Sequence, residues 1–138
     1  MKEVKKHNII SAYTSMLKNY ANFSGRSSRA EFWYAVLANA IIVLLVTAIL
    51  LIPAAILGTD NEIGALGVVL TPFLIVLYAL VMLVPSLALQ VRRLHDSGKS
   101  GWLVLLGFIP SAGGIIMLVL CVLAGDSGEN KYGPNPYE

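Results

Sequence analysis

The sequence predicts an all-α integral membrane protein: an N-terminal amphipathic helix followed by three transmembrane helices. Three observations lead there. Only 13% of the residues are charged, against about 25% in an average soluble domain, and a chain of 138 residues has too much surface for its volume to stay in water with so little charge. Three long uncharged apolar runs, 35–57, 66–91 and 102–124, dominate the chain. The charged residues collect at the ends of those runs.

Residues 4–23 form the amphipathic segment. Ile9, Ile10, Tyr13, Met16, Leu17, Tyr20 and Phe23 recur at helical spacing, and Lys5, Lys6 and Lys18 lie mostly elsewhere. Two readings fit: a helix lying among lipid headgroups, or one packing its apolar stripe on the protein's own spans. Residues 23–28 are small and polar and break the helix. Ser28-Arg29-Ala30-Glu31 then matches a capping box, with Ser28 as N-cap and Glu31 three residues on. Phe32, Trp33 and Tyr34 beside Arg26 and Arg29 suit the headgroup boundary.

The first span is placed at 29–57. Its uncharged part has 23 residues, about 35 Å as a helix, enough for a hydrocarbon core of about 30 Å. Pro53 is expected to bend or end it. The Asp60/Glu62 turn has no His or third acid beside it, so a solvated loop is expected rather than a metal site. The second span is placed at 66–93. Thr71-Pro72 suits a helix start, because proline at the first helical position loses no internal bond, and Pro85 is expected to kink the last turns.

The third run, 101–124, holds Ile109-Pro110-Ser111-Ala112-Gly113-Gly114 at its centre. One form is a single kinked span, the preferred reading. It would align Gly107, Ser111 and Gly114 as a small-residue seam for close helix approach. The other is a re-entrant hairpin, whose arms of about nine residues, about 14 Å each, are too short to cross. Residues 125–138 form a polar extended tail, stopped by Gly125 and kept from helix by Pro134 and Pro136.

Lys/Arg counts along the four flanks are six, zero, three and one. The positive-inside rule therefore places the N-terminus and the 92–102 hinge in the cytoplasm. A crossing third run puts the tail outside. A re-entrant one keeps it inside, where Asp126 and Glu129 meet Arg92 and Arg93. The first 31 residues hold no apolar block of seven or more, so no cleavable signal peptide is expected.

Catalytic motifs are absent. Gly98-Lys99-Ser100 resembles the end of a phosphate loop, but Arg93 stands where that pattern needs glycine. His95-Asp96 reads more readily as a solvated helix end than as a proton relay. The single cysteine, Cys121, gives neither a disulfide nor a metal site. No ionisable residue lies inside the three runs, which argues against charge-coupled transport. It leaves room for an oligomeric pore lined by Asn39, Thr47, Ser86 or Gln90. No metal and no cofactor is expected, and a net charge of +2 gives no case for nucleic acid.

Three stretches recur together: Phe23-Ser24-Gly25-Arg26-x-x-Arg29-x-Glu31-Phe32-Trp33, Arg92-Arg93-Leu94-His95-Asp96-x-x-x-Ser100-Gly101-Trp102, and Gly125-Asp126-x-Gly128-Glu129-Asn130-Lys131-Tyr132-Gly133-Pro134-Asn135-Pro136. With Ile109-Pro110 in the last run, the chain over about residues 13–138 resembles the bacterial "domain of unknown function 805" family of small inner-membrane proteins. The resemblance implies a multi-pass protein of the bacterial cytoplasmic membrane and no known activity, substrate or cofactor. The matching residues lie at span ends, which points to a functional surface of Arg26, Arg29, Glu31, Arg92, Arg93, His95, Asp96, Asp126, Glu129 and Asn130. The expected role is non-enzymatic, binding membrane lipid, a membrane-protein partner or a second copy of the chain. The rivals are an oligomeric transport component and an enzyme acting on a lipid headgroup.

Overall fold

The computed structural model describes residues 7–137, so the expected helical start at 4–6 lies outside the described residues. The elements are α1 (Ile9–Lys18), α2 (Arg29–Leu57), α3 (Glu62–Asp96), a 3-10 helix (Gly101–Phe108) and α4 (Gly113–Val122). There is no strand among the described residues beyond one isolated bridge, Asn130 with Gly133. Two helices, α2 and α3, are long and apolar enough to cross a membrane. The chain divides into two compact units, residues 37–83 and the remainder, each containing part of α2 and part of α3.

The 37–83 unit is a helical hairpin closed by the Gly58–Asn61 turn. Gly58 ends α2 in the left-handed region at φ 81°, a conformation glycine adopts without penalty. Asn61 caps α3, its side-chain oxygen accepting from the Ile63 amide at 3.0 Å. That cap starts α3 at Glu62 rather than near Thr71-Pro72, and Pro72 lies inside the helix. Contact pairs show the antiparallel course. A Cβ at Gly64 would stand 3.1 Å from Ala54 Cα, one at Gly67 would collide with the Leu50 carbonyl oxygen, and Tyr78 donates to Asn39 Oδ1 at 2.7 Å. Close approach here needs glycine at Gly67.

The other unit gathers α1, the 19–28 loop, the first turns of α2, the last turns of α3, the hinge, the broken third run and the tail. α1 is shorter than the expected 4–23. Asn8 and Ser11 form a reciprocal cap, Ser11 N to Asn8 Oδ1 at 2.7 Å and Asn8 N to Ser11 Oγ at 2.8 Å. Ala12 and Met16 are buried, whereas Ile10 and Leu17 on the expected apolar stripe are exposed. α2 starts where Ser28 caps it, Oγ accepting from the Glu31 amide at 3.1 Å. The reciprocal half of the box is replaced, because the Glu31 carboxylate bonds elsewhere.

The single kinked helix expected for the third run is not formed. The 3-10 helix Gly101–Phe108 and α4 are in contact with each other, joined by a turn at Ile109–Ala112. Two bonds close the turn: Ala112 N donates to Pro110 O and Gly113 N to Ile109 O, both at 2.8 Å. Ser111 takes the left-handed region at φ 68°. The eight-residue 3-10 helix is about 16 Å long. The ten-residue α4 is about 15 Å. Each covers half of a core of about 30 Å.

Candidate functional site

The last turn of α3 ends in Arg92-Arg93-Leu94-His95-Asp96, and the helical repeat puts Arg93 and Asp96 on one face. They form an ion pair with both side chains fully buried. Arg26 reaches the same carboxylate from the 19–28 loop, its Nε 2.9 Å from Asp96 Oδ1. One buried carboxylate thus holds two guanidinium groups. Burying a charge is costly unless it is paired and hydrogen-bonded, and the remaining donors find backbone carbonyls. Arg93 donates to the carbonyls of Cys121 at 2.9 Å and Ser27 at 3.2 Å, and to that of Leu123. Arg26 donates to the carbonyls of Asp126 at 2.6 Å and Gly128 at 2.5 Å. The backbone closes the same joint, with Ser27 N on Arg92 O at 3.0 Å and Asp126 N on Asp96 O at 2.7 Å. Loop, hinge, α4 end and tail therefore share one knot.

A third ion pair stands beside these. Arg92 Nη1 lies 3.5 Å from Glu31 Oε1, and the Glu31 carboxylate also accepts from Ser15 Oγ at 2.7 Å and Ser27 Oγ at 2.8 Å. Arg92 is buried, yet its Nε and Nη2 find no hydrogen-bond partner. By geometry this is the weakest of the three ion pairs.

The tail is fixed by its own small motifs. Asn130 Nδ2 donates to the His95 carbonyl and to Asp126 Oδ2, both at 2.9 Å. Tyr132 stacks on the His95 ring, centroids 3.8 Å apart and planes within 5°, and His95 Nδ1 sits 3.1 Å from the Gly25 carbonyl. The Arg29 amide donates to the Tyr137 hydroxyl at 2.9 Å. Of the residues expected as an exposed surface, Arg26, Glu31, Arg92, Arg93 and Asp96 are buried in this network. His95, Asp126 and Asn130 border it. Arg29 and Glu129 have exposed side chains and join no ion pair among the described residues. Gly107, Ser111 and Gly114 do not share one helix: Gly107, in the 3-10 helix, faces Met117 Cγ, Ser111 is in the turn, and Gly114, in α4, meets nothing within 4 Å.

Ser15, Ser27, Tyr132 and Tyr137 complete the network without having been marked by sequence reasoning. Ser27 carried a usable signal, four residues before Glu31 on the same helix entry. Tyr132 lies in the Gly125–Pro136 stretch, but its partner His95 is distant in sequence, and Tyr137 lies beyond that stretch.

Beside the knot lies an open groove of about 510 Å³, with Phe23, Val91, Val104 and Leu105 as apolar walls. Trp102, 79% exposed, stands in its lining, and His95, Ser100 and Tyr132 supply the polar edge. No group of three or more metal-binding side chains occurs among the described residues.

A family model described as "Protein of unknown function (DUF805)" matches residues 20–134. The inner membrane protein YhaI of Escherichia coli K12 is 43% identical over 124 residues, covering 90% of this chain and 93% of that protein. The inner membrane protein YhaH of the same strain is 38% identical over 124 residues, covering 90% and 94%. No solved structure matches. The match across most of the chain includes the loop, hinge and tail that build the knot, and on it the chain belongs to the DUF805 family.

Proposed function

We propose that this chain is a non-enzymatic protein of the bacterial inner membrane that binds anionic lipid at the cytoplasmic face. In this reading α2 and α3 cross the bilayer, the third run re-enters, and both termini are cytoplasmic. Charge accounts for the orientation. If the tail lies with the loop and hinge, all ten Lys/Arg of the chain fall on one side and none in the Gly58–Asn61 turn, which satisfies the positive-inside rule more fully than a third crossing would.

One observation carries the lipid reading: the acids of the knot are already spent. Asp96 is held by Arg26 and Arg93, and Glu31 by Arg92. Within that unit Lys18, Arg29, Lys99 and Lys131 enter no ion pair among the described residues, against Asp126 and Glu129 as the remaining described acids. Cations at a membrane surface attract anionic headgroups by about 1 kcal/mol each. The same accounting takes Asp96 out as a candidate base, because two arginines saturate it.

The test is lipid retention by native mass spectrometry of the purified chain, titrated with phosphatidylglycerol and phosphatidylethanolamine. Preferential retention of phosphatidylglycerol is expected. Equal retention of the two lipids would end the reading.

A further inference from the structure

We infer that the groove beside the knot is the specific seat of one anionic phospholipid, with an acyl chain on Phe23, Val91, Val104 and Leu105 and the headgroup phosphate at Ser100, His95 and Lys131. This rests on the lipid-binding reading and deepens it by assigning the site. Four observations converge. The groove volume, about 510 Å³, falls within the roughly 300–1,000 Å³ of small-molecule sites. Its lining is largely apolar, with His95, Ser100 and Tyr132 adding polar groups, the mix an amphiphile requires.

The charge near these groups is positive. No carboxylate lines the groove. Lys131 Nζ stands 4.9 Å from the centroid of the Tyr132 ring, itself part of the lining, and Lys99 directly precedes Ser100. Asp96, next to His95 in sequence, is fully buried and neutralised by two arginines. A phosphate approaching Tyr132 therefore meets Lys131 with no acid in the lining, while the Lys99 ammonium rests on the Ser97 carbonyl at 3.4 Å.

The groove is also rigidly framed. Its floor near Gly101 admits no side chain: a Cβ there would lie 2.6 Å from Val91 Cγ1 and 3.0 Å from His95 Nε2. The His95–Tyr132 stack holds two further lining rings in place. Preformed walls lower the ordering cost of binding, which separates a seat for one lipid from the general solvation of an apolar surface by the bilayer.

Two experiments test the assignment. Native mass spectrometry of the wild type should show one tightly retained phosphatidylglycerol per chain. Lys131→Gln should weaken its preference over phosphatidylethanolamine about fivefold, the effect of one surface cation. Leu105→Trp, which fills the wall, should abolish the tight site and spare weaker binding. Should Leu105→Trp fail to fold, the Trp33→Phe variant leaves Trp102 as the only tryptophan. In nanodiscs its fluorescence should then be quenched saturably by brominated phosphatidylglycerol at low mole fraction, and far less by brominated phosphatidylcholine. Wild-type retention of phosphatidylglycerol that both variants leave unchanged would overturn the groove as the site while leaving the lipid reading intact. No anionic preference in the wild type would overturn both. A second copy of the chain, lost in Leu105→Trp and present in place of lipid, would show the groove to be a protein interface and refute the proposal.

Discussion

Neutralising one carboxylate should loosen the whole loop–hinge–tail unit. Asp96 is fully buried and is the acid shared by Arg26 and Arg93. In Asp96→Asn the side chain keeps its shape, but the two guanidinium groups lose their counter-charge and face an amide that carries its own donors. Breaking a buried pair while leaving its partner typically costs about 3–5 kcal/mol. The carbonyls on Arg26 and Arg93 remain, so about 3 kcal/mol is the expected loss. Cys121 reports it. It is the chain's single cysteine, it is buried, and its own carbonyl accepts from Arg93. If labelling requires local opening, maleimide modification of Cys121 in nanodiscs should accelerate roughly 150-fold, about tenfold for each 1.4 kcal/mol. Glu129→Gln, on an exposed acid outside the network, should leave the rate unchanged. An Asp96→Asn rate within about threefold of wild type, less than 1 kcal/mol, would refute the claim that this carboxylate holds the unit together.

Further expectations follow from the same geometry. The Arg92–Glu31 pair leaves two Arg92 donors unbonded, so replacing both partners in Arg92→Met/Glu31→Gln should cost little, whereas Arg93→Met should cost about 3–5 kcal/mol; the same Cys121 assay compares them, and equal losses would count against the ranking. Gly67→Val should destabilise the α2–α3 hairpin, because a Cβ there meets the Leu50 carbonyl oxygen. Gly114→Ala, with open space around it, should be neutral or stabilise α4 by up to about 1 kcal/mol. Thermal unfolding in detergent separates the two, and a tolerated Gly67→Val would show that the close approach is not needed. Tyr137→Phe removes the bond to the Arg29 amide, worth about 0.5–1.5 kcal/mol. It should speed proteolysis of the tail without changing the Cys121 rate.

Periodicity and apolar length located α2, and the Ser28 cap marked its start at Arg29. The residues of the knot were legible as a set, because charges crowded at span ends need partners or lipid. Their burial was not. Arg92, Arg93 and Asp96 read equally well as solvated groups until the loop at Arg26 and Ser27 is seen to close over them. The third run was misjudged for a physical reason. Irregular backbone at membrane depth is expensive unless its groups are satisfied, which favoured a continuous helix. The turn at Ile109–Ala112 meets that condition in part by two bonds to itself, with Gly113 pressed so close to the Gly107 carbonyl that no side chain fits. α3 begins at Glu62, ahead of the Thr71-Pro72 signal and of the span placed at 66–93, because Asn61 supplies a quieter cap. Gly67 escaped notice because close approach depends on Leu50, which no spacing rule connects to it.

The central claim is that the tail returns to the N-terminal loop and the hinge, so that one face of the membrane holds all three. The most direct measurement is the location of the C-terminus in cells, read with matched fusions after Glu138 to green fluorescent protein and to alkaline phosphatase. A re-entrant third run, with the tail bound by Arg26 through the carbonyls of Asp126 and Gly128, predicts bright fluorescence and no phosphatase activity. High phosphatase activity with dark fluorescence would place the tail across the membrane from the hinge and contradict the account.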